Sequence, residues 1–287
     1  MTKRAVGVLG RGVVEADEAV VTSDDLGLTR GDGCFETTRL RTAPDGSQRI
    51  DHLAQHLSRL QASATALELP EVDTKAWRTL IDQVTNTWDE PGEALLKLML
   101  TRGRESTPTG PITGIVAISA TSPTSLEQRR NGVSVITLSR GTPSDAYIAA
   151  PWLLGGVKTL SYGVNVAAMR AAAQRNADDV IFVSTDGYVL EGPTSAVVWL
   201  ADGQLTTTPT GATGILASIT QQALFAAAAQ SGMRTGYALG TVGQLQSADG
   251  VLLVSSGRGV AQVHTIDGNR LTVAPGLTDQ IRALAGF

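Results

Sequence analysis

Cysteine occurs once in the 287 residues, at Cys34, so the chain closes no disulfide on itself and builds no cysteine-based metal cluster. Histidine occurs three times. His52 and His56 lie four apart, but no HExxH pattern surrounds them, and they read as ordinary helix decoration. Lysine is scarce beside arginine: of 23 basic residues only Lys3, Lys75, Lys97 and Lys158 are lysines. Charged residues make up 17% of the chain against roughly 25% in average domains, and hydrophobic ones 42%. That balance excludes a disordered chain or a coiled coil and leaves enough apolar surface for a large core. A net charge of −4 provides no basic field for nucleic acid or an acidic membrane. No apolar run reaches the roughly 18 residues of a spanning helix; the nearest, 147–157, is too short. The start of the chain turns glycine-rich before an apolar signal core forms. Together these absences point to a cytoplasmic protein whose ligands are small molecules. Also missing are a GxGxxG turn after a strand, a GxxxxGK[ST] loop and a GxSxG elbow.

At about 150 residues per domain the length suits one large or two modest domains. Strands fit 5–9, 34–41, 94–101, 112–120, 133–138, 179–184, 250–255 and 260–266. Leu53, Leu57, Leu60, Ala64 and Leu67 at helical spacing predict a helix over 51–68, with Asp51 as its cap and Pro70 beyond its end. Further helices are predicted at 74–88, 164–177, 218–231 and 276–285. Asp-Gly pairs at 45–46, 186–187, 202–203 and 267–268 sit between strand-like runs and predict hairpins, which argues against a purely parallel sheet. The polar, aperiodic stretch 121–132 reads as a linker. The expected organisation is an N-terminal domain over 1–120, the linker, and a C-terminal domain over 133–287 that includes Lys158.

Lys158 stands in LLGGVKTLSYG, after an apolar, glycine-containing stretch. Burial disfavours the charged form of a lysine, and a partly neutral amine is what Schiff-base chemistry needs; the alternative is a stem packed on the core with its ammonium in water. Glu191 ends a hairpin strand at a Gly-Pro-Thr-Ser turn, where an ordinary strand-end carboxylate also fits. Arg59 borders the apolar stripe of its helix, suited either to rim packing or to a phosphate. The amides of Ile219 and Thr220 open a helix and are placed to cradle the same anion.

Taken in order, LTRGDGCFETTRL at 28–40, QHLSRLQASA at 55–64, GGVKTLSYG at 155–163, DDVIFVSTDGYVLEGPTSAVVWL at 178–200, GILASITQQAL at 214–224 and LLVSSGRGVAQV at 252–263 resemble the class IV (fold-type IV) pyridoxal-phosphate enzymes. The resemblance covers nearly the whole chain and implies an α+β, two-domain fold like that of D-amino-acid aminotransferases, with mixed sheets and an interdomain active site. It implies pyridoxal 5'-phosphate as cofactor and a homodimer as the assembly. Lys158 resembles the lysine that carries the cofactor, Glu191 the carboxylate on its pyridine nitrogen, and Arg59 the arginine on its phosphate. Ile219, Thr220, Ser256 and Gly257 resemble the other phosphate contacts, and Ser195 and Tyr162 further cofactor neighbours. The family's usual glycine is Ser218 here, its arginine after the threonine is Gln221, and its asparagine after the Glu-Gly-x-x-Ser run is Ala196.

The family holds transaminases and lyases. GDGCF followed by Glu36 and Thr37 looks like the 4-amino-4-deoxychorismate lyases of folate biosynthesis, which eliminate pyruvate to give 4-aminobenzoate. A threonine there is suited to relaying a proton, or simply to strand packing, so Thr37 joins Lys158 as a candidate catalytic residue. Arg258, Arg39, Arg102 and Arg104 are candidates for the substrate carboxylates. The alternatives are a D-amino-acid or branched-chain transaminase and, from another class, a non-catalytic relative that binds a small molecule.

Overall fold

The computed structural model describes residues 3–287, and the chain divides into two compact units. The first runs through Ser122 and takes in Val157–Ser161; the second comprises Pro123–Gly156 and Tyr162–Phe287.

The elements of the first unit are β1 (Arg4–Val8), β2 (Gly12–Val14), α1 (Leu26–Thr29), β3 (Gly33–Thr42), β4 (Gln48–Ile50), α2 (Leu53–Ala66), α3 (Thr74–Thr85), β5 (Gly92–Thr101) and β6 (Thr113–Ala120). Their six strands form one antiparallel sheet in the order β2-β1-β6-β5-β3-β4. Side chains alternate between the faces of a strand. On β5 the even positions Ala94, Leu96, Leu98 and Leu100 are buried with Val116 and Ile118 of β6, under Leu57, Leu60 and Ala64 of α2 and Trp77, Leu80, Ile81 and Val84 of α3. The odd positions Leu95, Lys97 and Met99 lie on the other, less covered face.

Asp51 does not cap α2. The cap position belongs to His52, whose φ of 52° is left-handed and whose side chain makes no capping bond. The carboxylate of Asp51 is drawn instead to Arg39 and Arg41, at 2.7 and 2.9 Å, because the buried guanidinium of Arg39 needs a counter-charge.

The second unit contains α4 (Pro123–Asn131), β7 (Val133–Ser139), α5 (Gly163–Ala173), β8 (Asp179–Val183), β9 (Ala196–Ala201), β10 (Gln204–Thr207), α6 (Ile219–Gln230), β11 (Arg234–Tyr237), α7 (Val242–Gln246), β12 (Gly250–Ser255), β13 (Gly259–Ile266), β14 (Asn269–Arg270) and α8 (Leu277–Leu284). Its sheet runs β11-β10-β9-β12-β13-β7-β8, with β14 beside β13, and mixes parallel pairs (β10/β11, β13/β7, β7/β8) with antiparallel ones. β9 and all but the last position of β12 lack polar side chains because both faces are covered. Val198 and Leu200 of β9 with Leu252 and Val254 of β12 meet α6 and α8, while Val197, Trp199, Val251 and Leu253 face a second core. Asp202-Gly203 and Asp267-Gly268 both have positive φ at each residue, as a two-residue hairpin turn requires.

The expected linker at 121–132 is mostly helix. α4 buries none of its residues, so it shows no apolar periodicity, and its ends alone mark it, Pro123 at the start and Gly132 (φ 82°) past the end. The lysine segment is the second correction to the expected domains. Val157–Ser161 belongs to the first unit, because the short β4 pairs only with Leu40, Arg41 and Thr42 and leaves the start of β3 with an open edge. Phe35 N donates to Lys158 O at 3.0 Å and Leu160 N to Gly33 O at 2.8 Å across that edge. A Cβ on Gly33 would sit 2.4 Å from Leu100 O and 2.7 Å from Leu160 Cδ1, so only glycine allows this approach.

Candidate active site

In the first unit, the pairing of Val157–Ser161 with β3 presents Lys158 over Phe35, with Nζ 4.4 Å from the ring centroid. The backbone of Lys158 is held twice: its carbonyl by Phe35, and its amide by Ser63 Oγ of α2 at 3.3 Å. Thr37 is two residues along β3 on the face of Phe35, and its cross-strand partner is Lys97.

Beneath that face lies an acid–base cluster that sequence reading did not single out. Glu36 is fully buried and points to the core side of β3. Arg59 meets it with a two-bond fork, Nε to Oε1 and Nη2 to Oε2, both 2.7 Å, and His56 Nδ1 lies 2.7 Å from Oε2. Burial alone would raise the Glu36 carboxyl, but the hydrogen bonds and charge of Arg59 and His56 outweigh it and hold the group below its ordinary value. Burial keeps His56 below its ordinary value despite Glu36, so the ring is neutral and donates from Nδ1. His56 is therefore no surface decoration. The available signal was a carboxylate at a core-facing strand position, which demands a partner. Burial, and secondarily Glu36, also pushes the Cys34 thiol up to about 12, so it stays protonated.

Two further candidate arginines of this unit, and the exposed Arg104, are committed elsewhere. Arg39, 2% exposed, pairs with Asp51 and Glu93 at 2.7 and 2.9 Å. Arg102 pairs with Asp32 at 2.6 Å and donates to the carbonyls of Leu67 and Glu68. Arg104 pairs with Asp24 at 3.1 Å. Each guanidinium already has a carboxylate partner within this unit.

In the second unit, Glu191 follows the Asp186-Gly187 turn, its amide-bonded backbone running beside β8, and its Oε2 accepts from Leu216 N at 3.1 Å. Ser218 caps α6 through Gln221 N. That gives the unusual serine a local role and leaves the first two amides of the helix, Ile219 and Thr220, without a partner among the described residues. Thr220 Oγ1 and Ser256 Oγ stand 2.8 Å apart, with the half-buried Gly257 next in the turn between β12 and β13. The side-chain nitrogen of Gln221 is buried there without a partner. Free amides, two hydroxyls and an orphaned donor at a helix start are the donor set of an anion site. Tyr162, half-buried, directly precedes α5.

Arg258 has a different place from the one expected. Its Nη2 donates to Asp179 Oδ2 at 2.7 Å and to Ser195 Oγ at 2.9 Å, and its Nη1 to Gln128 Oε1 at 3.1 Å. Only 9% exposed and paired with a buried aspartate, it is a brace between the turn holding Ser256 and the one following Glu191, and no substrate carboxylate is needed to balance it. Ser195 is likewise taken by this arginine.

The profile of the amino-transferase class IV family matches residues 33–266. The chain belongs to this family. As a class IV aminotransferase it is 43% identical over 273 residues, 92% of this chain and 91% of the relative, to the bifunctional aminodeoxychorismate lyase / D-amino acid transaminase of Mycobacterium tuberculosis. It superimposes with a TM-score of 0.93 and 40% identity on the PLP-bound form of a hypothetical aminotransferase from that organism, covering 99% and 98% of the two chains. A fold IV-transaminase from Curtobacterium pusillum matches with a TM-score of 0.91 and 37% identity, covering 99% and 100%. The fold is thus fold-type IV, as the motifs implied. Among the described residues no helix is long and apolar enough to cross a membrane.

Proposed function

We propose that the protein is a pyridoxal 5'-phosphate-dependent 4-amino-4-deoxychorismate lyase that also transaminates D-amino acids. The observation that carries the reading is the 43% identity, across more than nine-tenths of both chains, to a relative with both activities. Thr37, in the GDGCF-Glu-Thr run, favours the lyase as the main reaction.

The donor set at the start of α6, Ile219 and Thr220 with Ser256 and Gly257, fits the cofactor's phosphate, and the family resemblance assigns Arg59 to the same anion. By the same resemblance Lys158 would hold the cofactor, and Tyr162 and Ser195 would be its further neighbours. When bound, the cofactor supplies an electron sink that acidifies the C–H bond beside the substrate amine. Glu191 would hold a proton at the cofactor's ring nitrogen. The Lys158 amine would be the base that removes the C–H proton. The Thr37 hydroxyl passes a proton to the departing ether oxygen. The C–O bond breaks, the proton lost from carbon appears in pyruvate, and the ring becomes aromatic 4-aminobenzoate.

The test is release of 4-aminobenzoate and pyruvate in equal amounts from aminodeoxychorismate by the PLP-loaded protein. D-alanine-dependent transamination without any 4-aminobenzoate would leave only the second activity.

The enzyme acts as a cytoplasmic homodimer in this reading. Five large side chains of 148–166, Ile148, Trp152, Leu153, Val164 and Val166, are exposed, with Trp152 at 74%, and a second copy is the expected cover. A monomeric mass at micromolar concentration by sedimentation contradicts it. The single buried thiol asks for no oxidising compartment.

A further inference from the structure

We propose that α4 clamps the phosphate-binding turn from behind, with Gln128 and Arg129 as positioning residues that fix Arg258 and so the backbone of Ser256 and Gly257. The inference rests on the reading of the α6 start and this turn as the phosphate site. It begins with an oddity of the fold. None of the nine residues of α4 is buried. Helices in folded proteins owe most of their stability to a packed apolar face, and α4 has none. Polar contacts hold it instead. Arg282 of α8 donates to the Arg129 carbonyl, and the side chains of Gln128 and Arg129 reach the segment between β12 and β13.

That segment is short. Ser255 stands opposite Gly259 in the ladder, and only Ser256, Gly257 and Arg258 join the two strands. Ser256 Oγ lies 2.8 Å from Thr220 Oγ1, and Arg258 N donates to Ser255 Oγ at 3.3 Å. The Gly257 amide between them has no partner among the described residues. A glycine backbone is the freest of all, and ordering it on an anion costs affinity unless its neighbours already hold it. The neighbour that is held is Arg258.

Successive residues of α4 grip Arg258 by its main chain and by its side chain. Arg129 Nε donates to the Arg258 carbonyl at 2.6 Å, and Gln128 Oε1 accepts from Arg258 Nη1 at 3.1 Å. Asp179 already supplies the counter-charge of that guanidinium, so the neutral Gln128 adds direction rather than charge. The packing is shaped for the approach of Arg129. A Cβ on Gly259, whose φ is +84°, would lie 2.9 Å from Arg129 Nε and 2.5 Å from Phe287 Cδ1. The Arg129 guanidinium itself lies 4.8 Å from the Phe287 ring centroid, which orients it toward the turn. The clamp thus arranges beforehand the backbone that the phosphate must meet.

The test is to titrate the protein, freed of cofactor, with PLP and with pyridoxal, which carries the same aldehyde and ring but no phosphate, following the absorbance of each. Arg129→Met and Gln128→Ala are each expected to raise the dissociation constant for PLP about tenfold and to leave that for pyridoxal within about twofold. Gln128→Glu keeps the acceptor for Arg258 and should recover most of the PLP affinity. Unchanged PLP affinity in both variants overturns the proposal. Equal losses for the two ligands overturn it as well, because α4 would then support the fold and not the phosphate. Should Arg129→Met not fold, Gln128→Ala and Gln128→Glu decide by the same readings. A wild-type protein that binds pyridoxal as tightly as PLP would refute the phosphate site itself, and the clamp with it.

Discussion

Arg59 reaches Glu36 through two bonds of 2.7 Å, so the arginine expected to bind phosphate is held by a buried carboxylate one helix-to-strand step away. Nε and one terminal nitrogen face the carboxylate, and the planar fork fixes where the rest of the guanidinium points. Glu36→Ala strands Arg59 and His56 without their acceptor. It is expected to cost about 3 kcal/mol of stability in urea unfolding, and the protein's PLP dissociation constant should rise about tenfold. A variant with wild-type PLP affinity would mean that Arg59 needs no such support.

The same cluster gives stability a pH dependence. His56 has a folded pKa below its ordinary 6.5, so folding disfavours its protonation, and its contribution is present above 6.5 and lost as pH falls from there toward the folded value. Glu36, with a folded pKa below 4.5, contributes fully above 4.5 and loses that contribution as pH falls through its folded value. Urea midpoints should therefore fall as the pH is lowered below about 6.5. His56→Gln should flatten the decline that begins below about pH 6.5. An unchanged slope in that variant would assign the effect to other groups.

Arg258 ties Asp179, Ser195 and Gln128 to the turn that contains Ser256. Arg258→Met leaves Asp179, 3% exposed, as a buried charge without its partner. A loss of about 3 kcal/mol in unfolding free energy is expected, along with weaker cofactor binding. If the arginine instead serves substrate, KM rises while stability holds, and a melting curve beside a substrate titration separates the two outcomes.

Thr37→Val removes a hydroxyl and keeps the β-branched shape, so strand packing is retained. The lyase rate is expected to fall about tenfold or more, and D-alanine transamination, which has no ether oxygen to protonate, only a few-fold. Equal losses in both reactions would reduce Thr37 to a packing residue.

The fold was legible where a pattern had one dominant cause. Strand-like runs placed β3 and β5, the Asp-Gly pairs placed the tight turns, and the Leu53–Leu60 spacing placed α2. Elements held by polar contacts were not legible. α4 shows no apolar face because Arg129 and Gln128 anchor it through Arg258. The motifs located Lys158, Glu191 and Arg59 along the chain, but what each touches depends on pairings distant in sequence. Glu36 is 23 residues from Arg59, and Asp179 is 79 from Arg258. No local spacing shows which arginines are matched by a distant carboxylate, as Arg39, Arg102, Arg104 and Arg258 all are.

The most direct test of the account is where the cofactor is attached. The PLP-loaded protein is reduced with borohydride, digested, and the modified peptide sequenced by mass spectrometry. With Lys97 and Lys158 both beside the Phe35 ring, the measurement discriminates between real competitors. The account predicts the label on Lys158, and Lys158→Ala protein that takes up no label and turns over no substrate. A label on Lys97, or a Lys158→Ala enzyme that still releases 4-aminobenzoate at the wild-type rate, would contradict it.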